Sequence, residues 1–181
     1  MATAKSLTAF NLLQWIEENK EQLKPPVNNK VIWEDSEFIA MVLGGPNRRR
    51  DFHVDPSDEF FYQVKGSCYV ECITENGERK VVTVNEGEVF MLPAMVPHSP
   101  HRVADTFGIV IERKRDMGEL EDFVWFCESC NNEMHRVRVQ LTDIETQVKG
   151  AIHSFNTDPE VRTCKSCGHV MSEEVQEWKP E

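Results

Sequence analysis

The sequence contains no apolar stretch long enough to cross a bilayer, which takes about 20 consecutive residues in a helix. It has no excess of positive charge either. Its 31 acidic and 20 basic residues give a net charge of −11, whereas a nucleic-acid-binding surface needs a basic patch. The first ten residues, MATAKSLTAF, lack the apolar core of a secretory signal. We therefore expect a cytoplasmic protein that binds neither a membrane nor nucleic acid.

The cysteines are few, and four of the six occur as CxxC pairs. In a protein that is not exported, such pairs favour a metal site over disulfides. One CxxC turn can bring two thiolates to an ion, and two turns complete a tetrahedral site. Four thiolates suit both iron and zinc, and they leave no open position for chemistry. We predict a structural metal site formed by Cys127, Cys130, Cys164 and Cys167.

The chain shows little helical patterning outside two segments. Residues 6–23 are predicted to form an amphipathic helix capped by Ser6 or Thr8. Its apolar face is predicted to consist of Phe10, Leu13 and Ile16. Residues 142–155 are predicted to form a second helix, with Ile144, Val148, Ile152 and Phe155 on its apolar face.

Short β-rich runs, punctuated by Gly, Pro and Asn, fill the chain from 30 to 113. They leave almost no room for helices, which is typical of a small β-barrel or sandwich. The sequence therefore predicts a mainly β protein in three parts. These are a barrel with an N-terminal helix (1–113), a charged linker (114–122) and a metal-binding tail with a helix (123–181).

His53, Glu59 and His98 are the candidate ligands of a second kind of metal site. His53 and Glu59 flank a short turn, VDPSD, and His98 follows another turn. Inward-facing side chains of neighbouring barrel strands can converge on one ion. Two imidazoles and one carboxylate are typical of non-haem Fe(II) centres with open positions. Asp55 is either a fourth ligand or, as we expect, a turn carboxylate that faces water.

These blocks resemble the two cupin motifs. The first motif is matched by His53, Glu59 and Gly66, with Asp55 at the position of its second His, and the second by Gly87, Pro93 and His98. Longer stretches resemble the 3-hydroxyanthranilate 3,4-dioxygenase family more specifically, and nearly end to end. They read KPPVNN (24–29), GGPNRRRDFHVDPSDEFFYQ (44–63), MLPAMVPHSPHR (91–102) and VIER (110–113).

The resemblance implies a cupin barrel with catalytic Fe(II), and a rubredoxin-like iron, with zinc as the other option, in the four-cysteine site. It implies that O₂ opens the ring of 3-hydroxyanthranilate to 2-amino-3-carboxymuconate semialdehyde, a precursor of quinolinate and NAD. Arg102 is then expected to bind the substrate carboxylate, and Arg49 to lie beside the dioxygen. Glu112 is expected to hydrogen-bond the substrate, which Glu59 also contacts. A homodimer is expected too.

Three other functions fit parts of the sequence. The main alternative is a non-catalytic cupin that binds a small molecule and holds structural metals. An isomerase or epimerase that uses zinc or manganese would work without oxygen. The cysteine pairs alone would also fit a zinc ribbon on nucleic acid, but the acidic charge disfavours that function.

Overall fold

Eleven strands form two antiparallel sheets in the computed structural model, which describes residues 8–23 and 28–179 apart from the Glu145 side chain. The five-stranded sheet has the spatial order β1 (Asn29–Val31), β2 (Phe38–Gly44), β9 (Phe107–Arg113), β4 (Glu59–Lys65) and β7 (Val89–Leu92). The six-stranded sheet has the order β11 (Glu133–Val139), β10 (Glu121–Phe126), β3 (Phe52–Val54), β8 (His98–Arg102), β5 (Cys68–Ile73) and β6 (Arg79–Val84). The predicted mainly β fold is confirmed.

The main core lies between the two sheets. Met41, Phe61 and Val110 of the five-stranded sheet pack against Cys68 and Val70 of the six-stranded sheet. Alternation along β4 and β9 decides which side chains face this core, because successive residues of a strand point to opposite faces.

The inner face of the β4–β9 pair forms three rows. Glu59 lies opposite Glu112, Phe61 opposite Val110, and Gln63 opposite Gly108. The two outer rows are polar, and the apolar row between them belongs to the core. Polar groups are therefore buried at both ends of this inner face, where they need partners.

The N-terminal helix is shorter than predicted. The α-helix α1 spans Leu12–Asn19, and a 3₁₀ turn follows. Its N-cap is Asn11, whose side chain accepts a hydrogen bond from the Gln14 backbone N–H at 3.0 Å. The cap predicted at Thr8 is therefore wrong, and Ser6 and residues 24–27 lie outside the described residues. Of the predicted apolar face, only Ile16 is buried, since Phe10 and Leu13 are exposed.

The second helix, α2 (Ile144–Thr157), agrees with the prediction to within two residues. Val148, Ile152 and Phe155 pack against Trp125 and Phe123 of β10. Asp143 caps the helix, since its carboxylate accepts from Thr146 N–H at 3.3 Å and from the Thr146 hydroxyl. Among the described residues, no helix is long and apolar enough to span a membrane.

The three-part division of the chain stays a prediction. Strand β10 runs across the predicted boundary between 122 and 123, and it pairs with β3 on one side and β11 on the other. The β10–β11 hairpin therefore continues the six-stranded sheet. The short β-rich runs from which the sequence predicted a barrel end at residue 113, so they did not predict strands β10 and β11.

Candidate active site and metal centres

Cross-strand pairing brings the predicted first metal site together. His53 of β3 lies directly opposite His98 of β8 in the six-stranded sheet. Glu59 begins β4 in the facing sheet. All three side chains are buried, and one potential ligand atom from each lies within 4.8 Å of the others. The site thus lies between the sheets, with imidazoles on one wall and a carboxylate on the other.

The hydrogen bonds of His98 define the side that it offers to an ion. Its Nδ1 lies 3.0 Å from the Val96 carbonyl oxygen, which can only accept, so Nδ1 carries the proton. In the neutral ring, Nε2 then presents a lone pair to Glu59 Oε1, 3.1 Å away. Glu59 Oε1 makes no well-oriented hydrogen bond, although His53 Nδ1 is also only 3.4 Å away. Lone pairs of His98 Nε2 and Glu59 Oε1 that point at each other would repel, and a cation bound between them would remove that repulsion.

Aromatic packing and charge hold the two imidazoles. Phe123 stacks on His53, with ring centroids 5.3 Å apart, and Phe61 meets His98 edge-on. Burial lowers the pKa of His53, but the carboxylates of Glu121 and Glu59 outweigh burial and raise it well above its usual range. Burial raises the pKa of Glu59, but the charge of His98 and the close approach of His53 outweigh burial and leave that pKa below its usual range. The site therefore favours an ionised Glu59.

A cavity of about 40 Å³ adjoins these ligands. Its walls include Arg49 and Glu112, which were predicted as site residues, and Ile144 and Val148 of α2. Small-molecule pockets are typically about 300–1,000 Å³, so a ring-sized ligand needs side chains to move. A larger cavity of about 620 Å³ lies outside and shares Ile144 with the inner one.

Arg49 and Glu112 both line the inner cavity, and their surroundings differ. Asp51 is completely buried and accepts hydrogen bonds from Arg49 Nε at 3.2 Å and from Arg49 Nη2. This two-point contact fixes the guanidinium plane. Burial, and then the negative charge of Glu59, raise the pKa of Glu112 well above its usual range. Both carboxyl oxygens of Glu112 lack a hydrogen-bond partner among the described residues.

Arg102 is not among the residues that line this cavity. It is buried at the other end of β8 from His98, where its Nη1 donates to Gln63 Oε1 at 2.9 Å. Its Nε has no hydrogen-bond partner among the described residues. A Cβ at Gly108 would lie 2.7 Å from both Arg102 Nη1 and Gln63 Oε1. Glycine therefore makes room there for the guanidinium.

Sequence reasoning missed two buried charges beside the site. Arg115 and Glu121 fall in the predicted charged linker, yet their side chains are fully buried and lie 2.6 Å apart. The expectation that Asp55 faces water is wrong, because its Oδ2 lies 2.6 Å from Arg115 Nη2 and it is 2 % exposed. Glu121 lies two residues before the apolar run FVWF (123–126), on the same strand face as Phe123, and this is the one signal that points to an inward carboxylate.

The four cysteines of the tail also converge. Cys127 and Cys167 have their sulfur atoms 3.6 Å apart, as do Cys130 and Cys164, and all four lie within 4.8 Å of one another. The two turns are built alike, since Asn131 N–H donates to the Cys127 carbonyl and Gly168 N–H to the Cys164 carbonyl.

Hydrogen bonds from the backbone N–H groups of Cys167 and Ser166, which outweigh desolvation, lower the pKa of Cys164 to about 7. Asn131 and Gly168, at the same place in each turn, both have positive φ angles, of 59° and 76°. This donor set fits a metal that takes four thiolates.

Comparisons with known proteins identify the family of the chain. A family model described as 3-hydroxyanthranilic acid dioxygenase matches residues 4–156. The chain belongs to this family. The family expected from the sequence motifs is thereby confirmed, and the covered region includes every proposed ligand of the first site.

Curated relatives extend the match to almost the whole chain. The 3-hydroxyanthranilate 3,4-dioxygenase of Bacillus cereus (strain ATCC 10987 / NRS 248) is 79% identical over 98% of this chain and 99% of its own length. The enzyme of the same name from Podospora anserina is 41% identical over 94% of this chain and 90% of its own length. Neither relative's name supports a non-catalytic cupin.

A solved structure of a cupin-2 domain containing protein from Shewanella frigidimarina NCIMB 400 superimposes with a TM-score of 0.44. It is 16% identical and covers 54% of this chain and 91% of that protein.

Proposed function

We propose that this protein is a metal-dependent dioxygenase that opens the aromatic ring of 3-hydroxyanthranilate between C3 and C4. One molecule of O₂ is consumed, and both oxygen atoms enter the product, 2-amino-3-carboxymuconate semialdehyde. That product cyclises to quinolinate, a precursor of NAD. The observation that carries the proposal is the convergence of His53 Nδ1, His98 Nε2 and Glu59 Oε1 at 3.1–3.4 Å beside a small cavity. The names of the relatives supply the substrate.

The metal held by His53, Glu59 and His98 is proposed to be Fe(II). When bound, it supplies open positions for the substrate and O₂ and carries electron density between them. The chain's own contribution is to fix both imidazoles by stacking and to exclude water, because all three ligands are buried. A dry, fixed site strengthens each electrostatic contact with the reactants.

Arg49 is proposed to stabilise the negative charge that develops on dioxygen. Its guanidinium lines the cavity, and Asp51 holds it in one plane. Glu112 lines the same cavity, and among the described residues its two carboxyl oxygens have no hydrogen-bond partner, so it can hydrogen-bond the hydroxyl or amino group of the substrate. Glu59 is proposed to contact the substrate as well as the metal.

Arg102 is proposed to bind the substrate carboxylate. A planar guanidinium suits a carboxylate, and Arg102 Nε has no partner among the described residues. Since Arg102 now donates to Gln63, this role requires the guanidinium to reorient when the substrate enters. Ile144 lines both cavities, and we propose that it moves as well.

The four-cysteine site is proposed to hold a rubredoxin-like iron, or zinc, in a structural role. A homodimer in the cytoplasm is the proposed physiological form. Metal analysis of the purified protein identifies both ions, and light scattering after gel filtration gives the mass. A mass near 21 kDa, that of one chain, would contradict the dimer.

The test of the proposed function is oxygen uptake. Adding 3-hydroxyanthranilate to Fe(II)-loaded protein is expected to consume one O₂ per substrate and to produce the absorbance of the semialdehyde. His98→Ala is expected to abolish both signals. Arg48→Ala, which removes a half-exposed arginine paired with Glu177, is the matched control and is expected to retain them. No oxygen uptake by the iron-loaded parent would refute the proposal.

A further inference from the structure

The fully buried Arg115 side chain lies at the centre of a group of carboxylates beside the first metal site. It contacts Asp55 and Glu121 at 2.6 Å and Glu112 at 3.5 Å. Its Nη1 also donates to the Arg113 carbonyl at 2.6 Å. Burying a guanidinium costs free energy unless its donors are paired, and here the partners are acidic side chains drawn from three separate segments of the chain.

Glu121 connects Arg115 to the metal site. Glu121 Oε2 accepts a hydrogen bond from Arg115 Nε at 2.6 Å, and it lies 3.4 Å from His53 Nε2. The other ring nitrogen of His53, Nδ1, faces Glu59 at 3.4 Å. The imidazole is therefore bounded by the ligand carboxylate on one side and by a carboxylate fixed by Arg115 on the other.

We propose that Glu121, held by Arg115, is a positioning residue that orients His53 for metal binding. A metal-binding histidine commonly donates its second ring N–H to a carboxylate, which fixes both the tautomer and the ring plane. His53 Nε2 makes no hydrogen bond among the described residues, and Glu121 Oε2 lies 3.4 Å from it. With the proton of His53 on Nε2, a small rotation of the ring directs it at Glu121, and the Nδ1 lone pair then faces Glu59 and the metal position. Arg115 prevents Glu121 from turning away, and Asp55 also contacts Arg115, at Nη2. The inference rests on the proposed metal site.

Cobalt(II) is the probe, because it binds both centres without reacting with oxygen. Cobalt bound by the four cysteines gives intense thiolate charge-transfer bands, whereas cobalt bound by His53, Glu59 and His98 gives only weak visible bands. The two sites are thus titrated separately in one sample. The thiolate bands also report that the chain has folded.

The main variant is Glu121→Gln, which keeps the shape of the side chain but removes its charge. We expect the cobalt affinity of the first site to fall by roughly 10- to 100-fold, as for other residues that orient metal ligands, with a shift of the weak bands. The thiolate bands should be unchanged. Arg115→Lys is expected to give a smaller loss of the same kind. If Arg115→Lys fails to fold, Glu121→Gln alone decides the matter.

The matched control is Glu119→Gln. Glu119 accepts from Arg113 Nη2 at 2.7 and 2.8 Å, but this pair is partly exposed. The control should bind cobalt as the parent does. The inference would be overturned if Glu121→Gln bound cobalt at the first site with the parent's affinity and the parent's weak bands. A lower unfolding midpoint of this variant would not rescue the inference if its cobalt affinity and weak bands were unchanged. A parent protein with thiolate bands but no weak bands would instead refute the proposed metal site.

Discussion

At the scale of single residues, the inner face of the barrel has two polar ends. The candidate metal ligands Glu59 and His98 lie at one end, and Gln63 and Arg102 lie at the other. Glu59 and Gln63 are four residues apart on β4, which corresponds to roughly 13 Å along a strand. Phe61 and Val110 form the apolar row between them. His98 and Arg102 are spaced in the same way on β8. A substrate that contacts both ends must therefore extend along this face.

Arg102→Lys is expected to weaken substrate binding while the first metal stays bound. Lysine keeps the charge but loses the planar fork that suits a carboxylate. Losing a hydrogen bond to a charged group costs about 1.5–3 kcal/mol, or roughly 10- to 150-fold in affinity. Anaerobic titration of the iron-loaded protein with 3-hydroxyanthranilate measures this affinity. Unchanged affinity would refute the role of Arg102.

Gly108→Ala tests the same end of the site without touching a charge. Its new Cβ would lie 2.7 Å from Arg102 Nη1 and Gln63 Oε1, so both side-chain ends must shift. We expect a higher KM and an unchanged metal content. Gly150→Ala is the control, because its Cβ meets open space on α2 and alanine favours helix. Equal KM values for the two variants would contradict the expectation.

At the scale of elements, the β10–β11 hairpin extends the six-stranded sheet into the part of the chain that holds the four cysteines. Asp122 of β10 lies opposite Arg138 of β11 and accepts from Arg138 Nε at 2.7 Å, and it also pairs with Arg136. Hydrogen bonds from Arg138 and then Arg136, which together outweigh burial, lower the pKa of Asp122. These ion pairs stabilise the hairpin only while Asp122 is ionised.

Asp122→Asn is expected to destabilise the protein by about 1 kcal/mol at pH 7, since the arginines are partly exposed. A carboxyl group with a lowered folded-state pKa contributes fully above its unfolded pKa, near 3.9. The contribution is lost as the pH falls through the lower, folded-state value. The difference in unfolding free energy between parent and variant should therefore shrink below about pH 4. Urea unfolding at several pH values measures it.

The exposed turn residue Asp35 provides the control for this pH series. The unfolding free energy of Asp35→Asn should differ little from that of the parent at every pH of the series. If the difference in unfolding free energy between the parent and Asp122→Asn stayed constant from pH 7 to pH 3, the ion pairs of Asp122 would not be its cause.

At the scale of the whole molecule, one strand connects the two candidate metal sites. Strand β10 begins at Glu121, beside His53, and Cys127 follows directly after its end. Trp125 and Phe155 stack between β10 and α2, with ring centroids 4.7 Å apart. The cysteine site thus secures the far end of a strand whose near end contacts the first site, although the two ligand sets share no residue.

Cys164→Ser is expected to remove one metal per chain and to destabilise the tail, because three thiolates hold the ion poorly and metal binding contributes directly to folding. The first metal should stay bound, since its ligands lie between the sheets. Metal analysis combined with thermal unfolding checks both statements. Loss of both metals from a folded chain would contradict the separation of the two sites.

The sequence by itself determined the mainly β fold, helix α2 and the two sets of candidate ligands that the structure brings together, because strand patterning, CxxC spacing and two specific motifs are local signals. The start of α1 was predicted wrongly because Ser, Thr and Asn are all favoured N-caps, so residue type alone does not select Asn11. The sequence also placed Arg115 and Glu121 in a charged linker and Asp55 in a turn that faces water, since charged residues are normally exposed.

Only the tertiary structure decided that these charges are buried together. The strand pairing of β10 with β3 brings Glu121 to His53, and that pairing joins segments nearly 70 residues apart in the chain. The surroundings of Arg102 were also decided by the tertiary structure. The sequence shows that Arg102 lies four residues after His98, but its contact with Gln63 depends on the facing sheet. Spacing along one strand defines which face a side chain occupies, whereas the partner on that face is a property of the assembled barrel.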